Sequence, residues 1–147
     1  MSLRDRLTEE MKGAMKARDD LRLSAIRLVR SAVKNREIEL KREFEDAEII
    51  DVIASMIKQR RESIRLFIQG GRTDLVEKEE KELATLQEFL PPQLERAELE
   101  ELVVRVIAEC GAQGSKEMGK VMKALAPHVA GRADGKVVSE VVREKLA

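Results

Sequence analysis

The sequence predicts an all-α protein in two parts. The first is an N-terminal helical domain of about four helices over residues 1–92, and the second a small three-helix C-terminal domain over residues 93–147. Three observations predict it. Aromatic residues make up only 2% of the chain, with no Trp or Tyr, so the aromatic residues that favour strands are nearly missing, and good helix formers dominate. Apolar residues recur at helical spacing in segment after segment. Glycine, proline and capping residues punctuate those segments where helices should start and stop.

The elements follow in order. Leu3, Leu7, Met11, Ala14 and Met15 share one face of a first helix, about Leu3 to Ala17, with Ser2 as N-cap. Asp19 and Asp20 break the chain and cap the next helix, expected from about Leu21 to Phe44 around Ala25, Ile26, Val29, Ala32, Val33 and Leu40. At about 1.5 Å per residue that helix would span roughly 36 Å. Asp46 is the expected cap of a third helix, about Ala47 to Gln69, which Gly70-Gly71 ends. A fourth begins at Thr73 or Asp74, and Pro91-Pro92 stops it, because proline lacks the amide donor and crowds the preceding turn. The double proline is the predicted domain boundary. Three shorter helices follow, about Arg96 to Cys110, Ser115 to Ala126 and Gly135 to Leu146, with Pro127 expected to separate the last two.

Composition narrows function. The 28 Lys and Arg balance 28 Asp and Glu, so net charge is zero and only local clustering can point to a nucleic acid. One cysteine, Cys110, excludes an internal disulfide and reads as a small core residue. No apolar run approaches the roughly 20 residues of a membrane span, and the N-terminus lacks the apolar stretch of a signal peptide. The expectation is a cytoplasmic protein with no membrane partner.

Catalytic chemistry is not legible. The single histidine, His128, follows Pro127 and is expected on a turn; with one cysteine it makes no metal site. Glu77, Glu79, Glu80 and Glu82 form an acidic run that reads as solvated. No glycine-rich nucleotide loop, nucleophile elbow or HExxH occurs. No catalytic residue, metal or cofactor is therefore expected.

Charge clusters in two places. Arg22 to Arg42 holds seven basic residues against two acidic, and Arg27, Arg30, Lys34 and Lys41 fall on one helical stripe. The third helix repeats the idea with Lys58, Arg61 and Arg65. Either these stripes pair with acidic neighbours such as the Asp74–Glu88 helix, or part of them stays free to meet phosphates. Gly114 to Ala147 holds seven basic residues (Lys116, Lys120, Lys123, Arg132, Lys136, Arg143 and Lys145) against four acidic. Gly119 sits inside a helix there, which costs about 1 kcal/mol against alanine and suggests close approach by another backbone. The stretch Gly131-Arg132-Ala133-Asp134-Gly135-Lys136 makes a turn in which Asp134 caps the last helix, and free amides beside Arg132 and Lys136 could form an anion site.

These stretches carry a resemblance. Gly119-Lys120-Val121-Met122, the Gly131–Lys136 turn and the closing Val137–Leu146 helix are the most specific pieces. Leu90-Pro91, Leu21–Asn35, Lys58–Ser63 and Arg72-Thr73-Asp74-Leu75 add to them, so the match runs over essentially the whole chain. The chain resembles the GatB/YqeY-domain family, whose domain also forms the tail of the B subunit of tRNA-dependent amidotransferase and is attached to some glutaminyl-tRNA synthetases. Ala130 and His128 stand where that family often carries lysine or another polar residue.

The resemblance implies a tRNA connection for the C-terminal domain. Lys120, Lys123, Arg132 and Lys136 would meet the RNA backbone, with Gly119, Gly131 and Gly135 allowing approach. Arg27, Arg30, Lys34, Lys58 and Arg61 form a secondary stripe. Few aromatics argues against base stacking and for shape and phosphate recognition of a folded RNA rather than DNA. An alternative is an adaptor docking on an aminoacyl-tRNA synthetase or amidotransferase. Family descriptions also attach carbon–nitrogen ligase activity with glutamine as amido donor, but no residue here resembles the amidase nucleophile or ATP site it needs.

Overall fold

The computed structural model describes all residues, Met1–Ala147. It contains seven α-helices and no strand: α1 Leu3–Ala17, α2 Asp20–Leu40, α3 Asp46–Gln69, α4 Thr73–Gln87, α5 Arg96–Cys110, α6 Met118–Val129 and α7 Gly135–Leu146. A single 3-10 turn, Ser115–Glu117, leads into α6. The chain divides into two compact units, Met1–Leu90 and Pro91–Ala147. No helix is long and apolar enough to cross a membrane.

In the first unit α3 and α4 pack as a hairpin, and α2 touches α1, α3 and α4. The apolar faces meet in one cluster, with Ile26, Val29, Ile49, Ile53 and Leu86 at its centre. Burying such side chains contributes about 1.5–3 kcal/mol each. Ser2 and Asp19 cap α1 and α2 by accepting from the amides of Asp5 and Arg22.

In this unit the end of α2 and the cap of α3 differ from expectation. The second helix ends at Leu40, not near Phe44, because Lys41 takes a left-handed conformation (φ 57°) and its amide turns back to Glu37 and Ile38. Phe44 then folds inward, its amide donating to the Glu37 carboxylate at 2.6 Å. Lys41 therefore leaves the helical stripe that the sequence placed it on. Asp46 is not the cap of α3 but its first residue, and it accepts the Leu3 amide at 3.1 Å. Glu45 and Glu48 form the capping box instead.

The second unit packs α5, α6 and α7 around Leu99, Val103, Val121, Leu125, Val138, Val141 and Val142. Cys110 lies at the edge of this cluster, half-buried. Gly111 (φ 66°) closes α5, and Gly131 (φ 69°) opens the α6–α7 connection; both occupy the left-handed region that glycine enters without strain. Pro127 does not end α6. The helix runs on to Val129 with Pro127 inside it, which puts His128 in the last helical turn, exposed, rather than on a loop.

Candidate nucleic-acid interface

The positions of the cationic side chains follow from which face each helix buries. In α6 Val121 and Leu125 point inward, so Lys120 and Lys123, three residues apart, share the outward face. In α7 Val138, Val141, Val142 and Leu146 are buried, leaving Lys136, Arg143 and Lys145 exposed. Arg132 and Lys136 come together at the α6–α7 connection, while Lys120 lies near the opposite end of α6, about 14 Å away along the axis.

None of these side chains has a carboxylate partner. Lys116, Lys120, Lys123, Arg132, Lys136, Arg143 and Lys145 all lie outside the ion pairs of the molecule, whereas the neighbouring acids are engaged. Glu144 pairs with Arg96 at 2.9 Å. Glu117 accepts the Gln113 amide at 2.6 Å, and Asp134 accepts the Lys136 amide at 3.1 Å. Of the four acids between Gly114 and Ala147 only Glu140 has no partner, and on α5 Glu101, which lines a shallow depression with Arg132 and Lys145, has none either.

Three site expectations change. No backbone approaches Gly119: a Cβ there would meet nothing within 4 Å, and the residue is exposed. It stands in the first turn of α6, just after the 3-10 turn, where the helix-interior penalty is weaker and needs no compensating contact. The amides at the start of α7 are not all open to an anion, since the Asp134 carboxylate already caps them beside Gly135. Arg132 is partly structural. Its Nε donates to the Pro92 carbonyl at 3.2 Å and its own carbonyl accepts the Leu94 amide at 2.8 Å, while Gln93 reaches the Gly131 carbonyl at 2.6 Å. Together these bonds tie the segment before α5 to the α6–α7 turn.

The secondary stripe lies in the first unit. Arg27, Arg30 and Lys34 are exposed on α2, and Lys58 and Arg61 on α3. None forms an ion pair. Several acids of the acidic helix are paired with other arginines. Arg60 reaches Glu79 at 3.2 Å and Glu82 at 3.3 Å, and Arg22 bridges Glu10 and Glu88. The acidic run is thus not wholly solvated, because the Glu82 side chain is only 6% exposed. Arg60 does not stand out in the sequence, and Arg22 does so only as part of the basic cluster on the second helix, since an ion pair between helices leaves no spacing signal. No three metal-ligating side chains converge.

The comparisons with known proteins agree with this architecture in extent. The family model described as Yqey-like protein matches residues 4–146. Among curated proteins, the chain is 38% identical over 106 residues to "Altered inheritance of mitochondria protein 41, mitochondrial" of Kluyveromyces lactis, covering 70% of this chain and 57% of that one. The protein of the same name in Lachancea thermotolerans is 35% identical over the same shares. That of Eremothecium gossypii is 36% identical, covering 69% and 56%. The chain thus spans little more than half the length of these relatives.

Their names overturn the expected cytoplasmic location, since the relatives are mitochondrial by name. A lone cysteine rules out a disulfide framework but does not separate the cytosol from an organelle interior. With the family model matching from the start of α1 to the end of α7, the chain belongs to the YqeY-like protein family.

Proposed function

We propose that this chain is an accessory module that binds the backbone of a folded RNA, tRNA first among candidates, without performing a reaction on it. The observation that carries this reading is the set of seven cations between Lys116 and Lys145 that no carboxylate neutralises, in a molecule with no net charge. The Pro91–Ala147 unit is the RNA-facing domain in this reading, comparable to the amidotransferase tail. Lys120, Lys123, Arg132 and Lys136 carry the phosphate contacts. Gly119 leaves the start of α6 uncovered by side chain, so a backbone can come close. Counterion release then supplies most of the affinity, and sequence preference is weak.

Filter binding of tRNA across a salt series tests it. Binding at low salt should weaken steeply as salt rises, and Lys120→Ala should reduce the log–log slope by about one. No binding of the parent chain at low ionic strength, or an unchanged slope in the Lys120 and Lys123 variants, would overturn the proposal.

A second reading, docking on an aminoacyl-tRNA synthetase or amidotransferase, draws on a different observation. Leu28, Ile38 and Leu40 of α2 are 42%, 64% and 55% exposed. Co-purification with such an enzyme that survives nuclease treatment, and is lost in Ile38→Glu, would favour it over RNA binding.

A further inference from the structure

We propose that the groove between α1 and α2 is a binding site for a phosphomonoester, independent of the RNA-facing cations of α6 and α7. The groove has a volume of about 440 Å³, within the range of small-ligand sites. Its apolar floor is Leu7, Val33 and Ile49, all buried. Its polar wall comes from α2, where Arg30 and Lys34 stand one turn apart on the same side, with Ser31 and Asn35 beside them.

The state of each charged group decides what the groove can accept. Three cations, Arg4, Arg30 and Lys34, face two carboxylates, Asp5 and Glu37. Arg4 is consumed, because its guanidinium is bound to Glu37. Glu37 is consumed in turn: the Phe44 amide and then Arg4 hold its carboxyl below the usual carboxylate range, so it stays a spent anion. Asp5 remains as the one uncommitted acid, on the α1 side and exposed. Lys34 forms no ion pair, although its charge helps to lower the nearby Glu37 carboxyl, and Arg30 touches only the Met11 sulfur at 2.8 Å, a weak acceptor for a guanidinium.

Two uncommitted cations about 5–6 Å apart at their Cβ atoms match a ligand group carrying more than one negative charge. A carboxylate could bridge both cations but carries one charge against two. A phosphomonoester carries about −1.5 to −2 at neutral pH and three acceptor oxygens, enough for Arg30, Lys34 and the Asn35 amide together. The apolar floor beneath takes the organic body. Such a group has two sources, a free phosphorylated metabolite such as a mononucleotide or the terminal phosphate of an RNA, and both present the same chemistry to the groove.

The test is an NMR titration of the full chain at low ionic strength. The probes are a nucleoside monophosphate, the parent nucleoside, a short 5′-phosphorylated RNA, and the same RNA with a 5′-hydroxyl. Saturable shifts confined to Thr8, Ser31, Lys34 and Asn35 are expected with the phosphorylated member of at least one pair. They should weaken about ten- to hundredfold in Lys34→Ala and in Arg30→Ala, and persist in Lys120→Ala. Both substitutions lie on exposed surface, and circular dichroism checks that the helices remain. A response to the mononucleotide names a metabolite, and a response only to the phosphorylated RNA names a terminal phosphate. Absence of groove shifts with both phosphorylated probes, equal shifts with their unphosphorylated partners, or shifts unchanged in both variants would overturn the proposal. Loss of tRNA binding in Lys120→Ala with the groove response intact would separate this site from the RNA reading.

Discussion

Gly119 occupies the second position of α6, in open space, with no left-handed backbone angle to demand glycine. Folding alone therefore gives no reason for its lack of a side chain. Alanine should fit without strain and restrict the unfolded chain, so Gly119→Ala is expected to stabilise the protein by about 0.4–1 kcal/mol in urea denaturation. If the residue serves approach by an RNA backbone, the same variant should bind tRNA more weakly while being more stable. A destabilised variant would show instead that the glycine is structural. The sequence did mark this position as unusual. It misplaced the reason, because helical periodicity does not distinguish the first turn of a helix from its interior.

At the scale of elements, the α3–α4 hairpin holds the one charged group that is buried. Glu82 depends on Arg60, whose side chain is 23% exposed and which also serves Glu79. Removing the guanidinium leaves Glu82 buried without a counter-charge. Such a loss costs about 3–5 kcal/mol in a fully buried pair, so about 2–3 is expected for Arg60→Ala given its partial exposure. Equilibrium urea unfolding measures it, and Arg60→Ala combined with Glu82→Leu should recover most of the loss. No recovery would mean that the arginine stem, not the charge, is what holds the hairpin. The helices themselves were readable from apolar spacing, with α1, α5 and α7 placed to the residue. The end of α2 was not. Arg42, Glu43 and Phe44 continue a plausible helical pattern, and only the inward turn of Phe44 onto the core decides otherwise.

Across the whole molecule, acid stability should track carboxylates held by arginine. Arg42 grips Glu48 with both guanidinium nitrogens, and the Glu45 amide adds to it, holding that carboxyl at about 2. Arg65 lowers Glu62, Arg72 lowers Asp74, and the Phe44 amide with Arg4 lowers Glu37. A carboxyl lowered in the folded state favours folding fully above its ordinary value. That contribution fades as pH falls through the folded value. The urea midpoint should therefore fall as pH drops from 4.5 toward 2, and fall less in Glu48→Gln. An identical pH profile in that variant would show that the α3 cap does not couple to folding.

What the sequence alone determined is the set of helices and their family, because apolar spacing, caps and breakers are local and each acts within a few residues of chain. Which charges are cancelled was decided only by tertiary structure. Arg22, Arg60 and Arg96 meet acids 12 to 66 residues away, while Lys120, Lys123, Arg30 and Lys34 form no ion pair. Ion pairing depends on distance in space, and a zero net charge is silent about it. This segregation leaves cations on α2, α6 and α7 outside any ion pair.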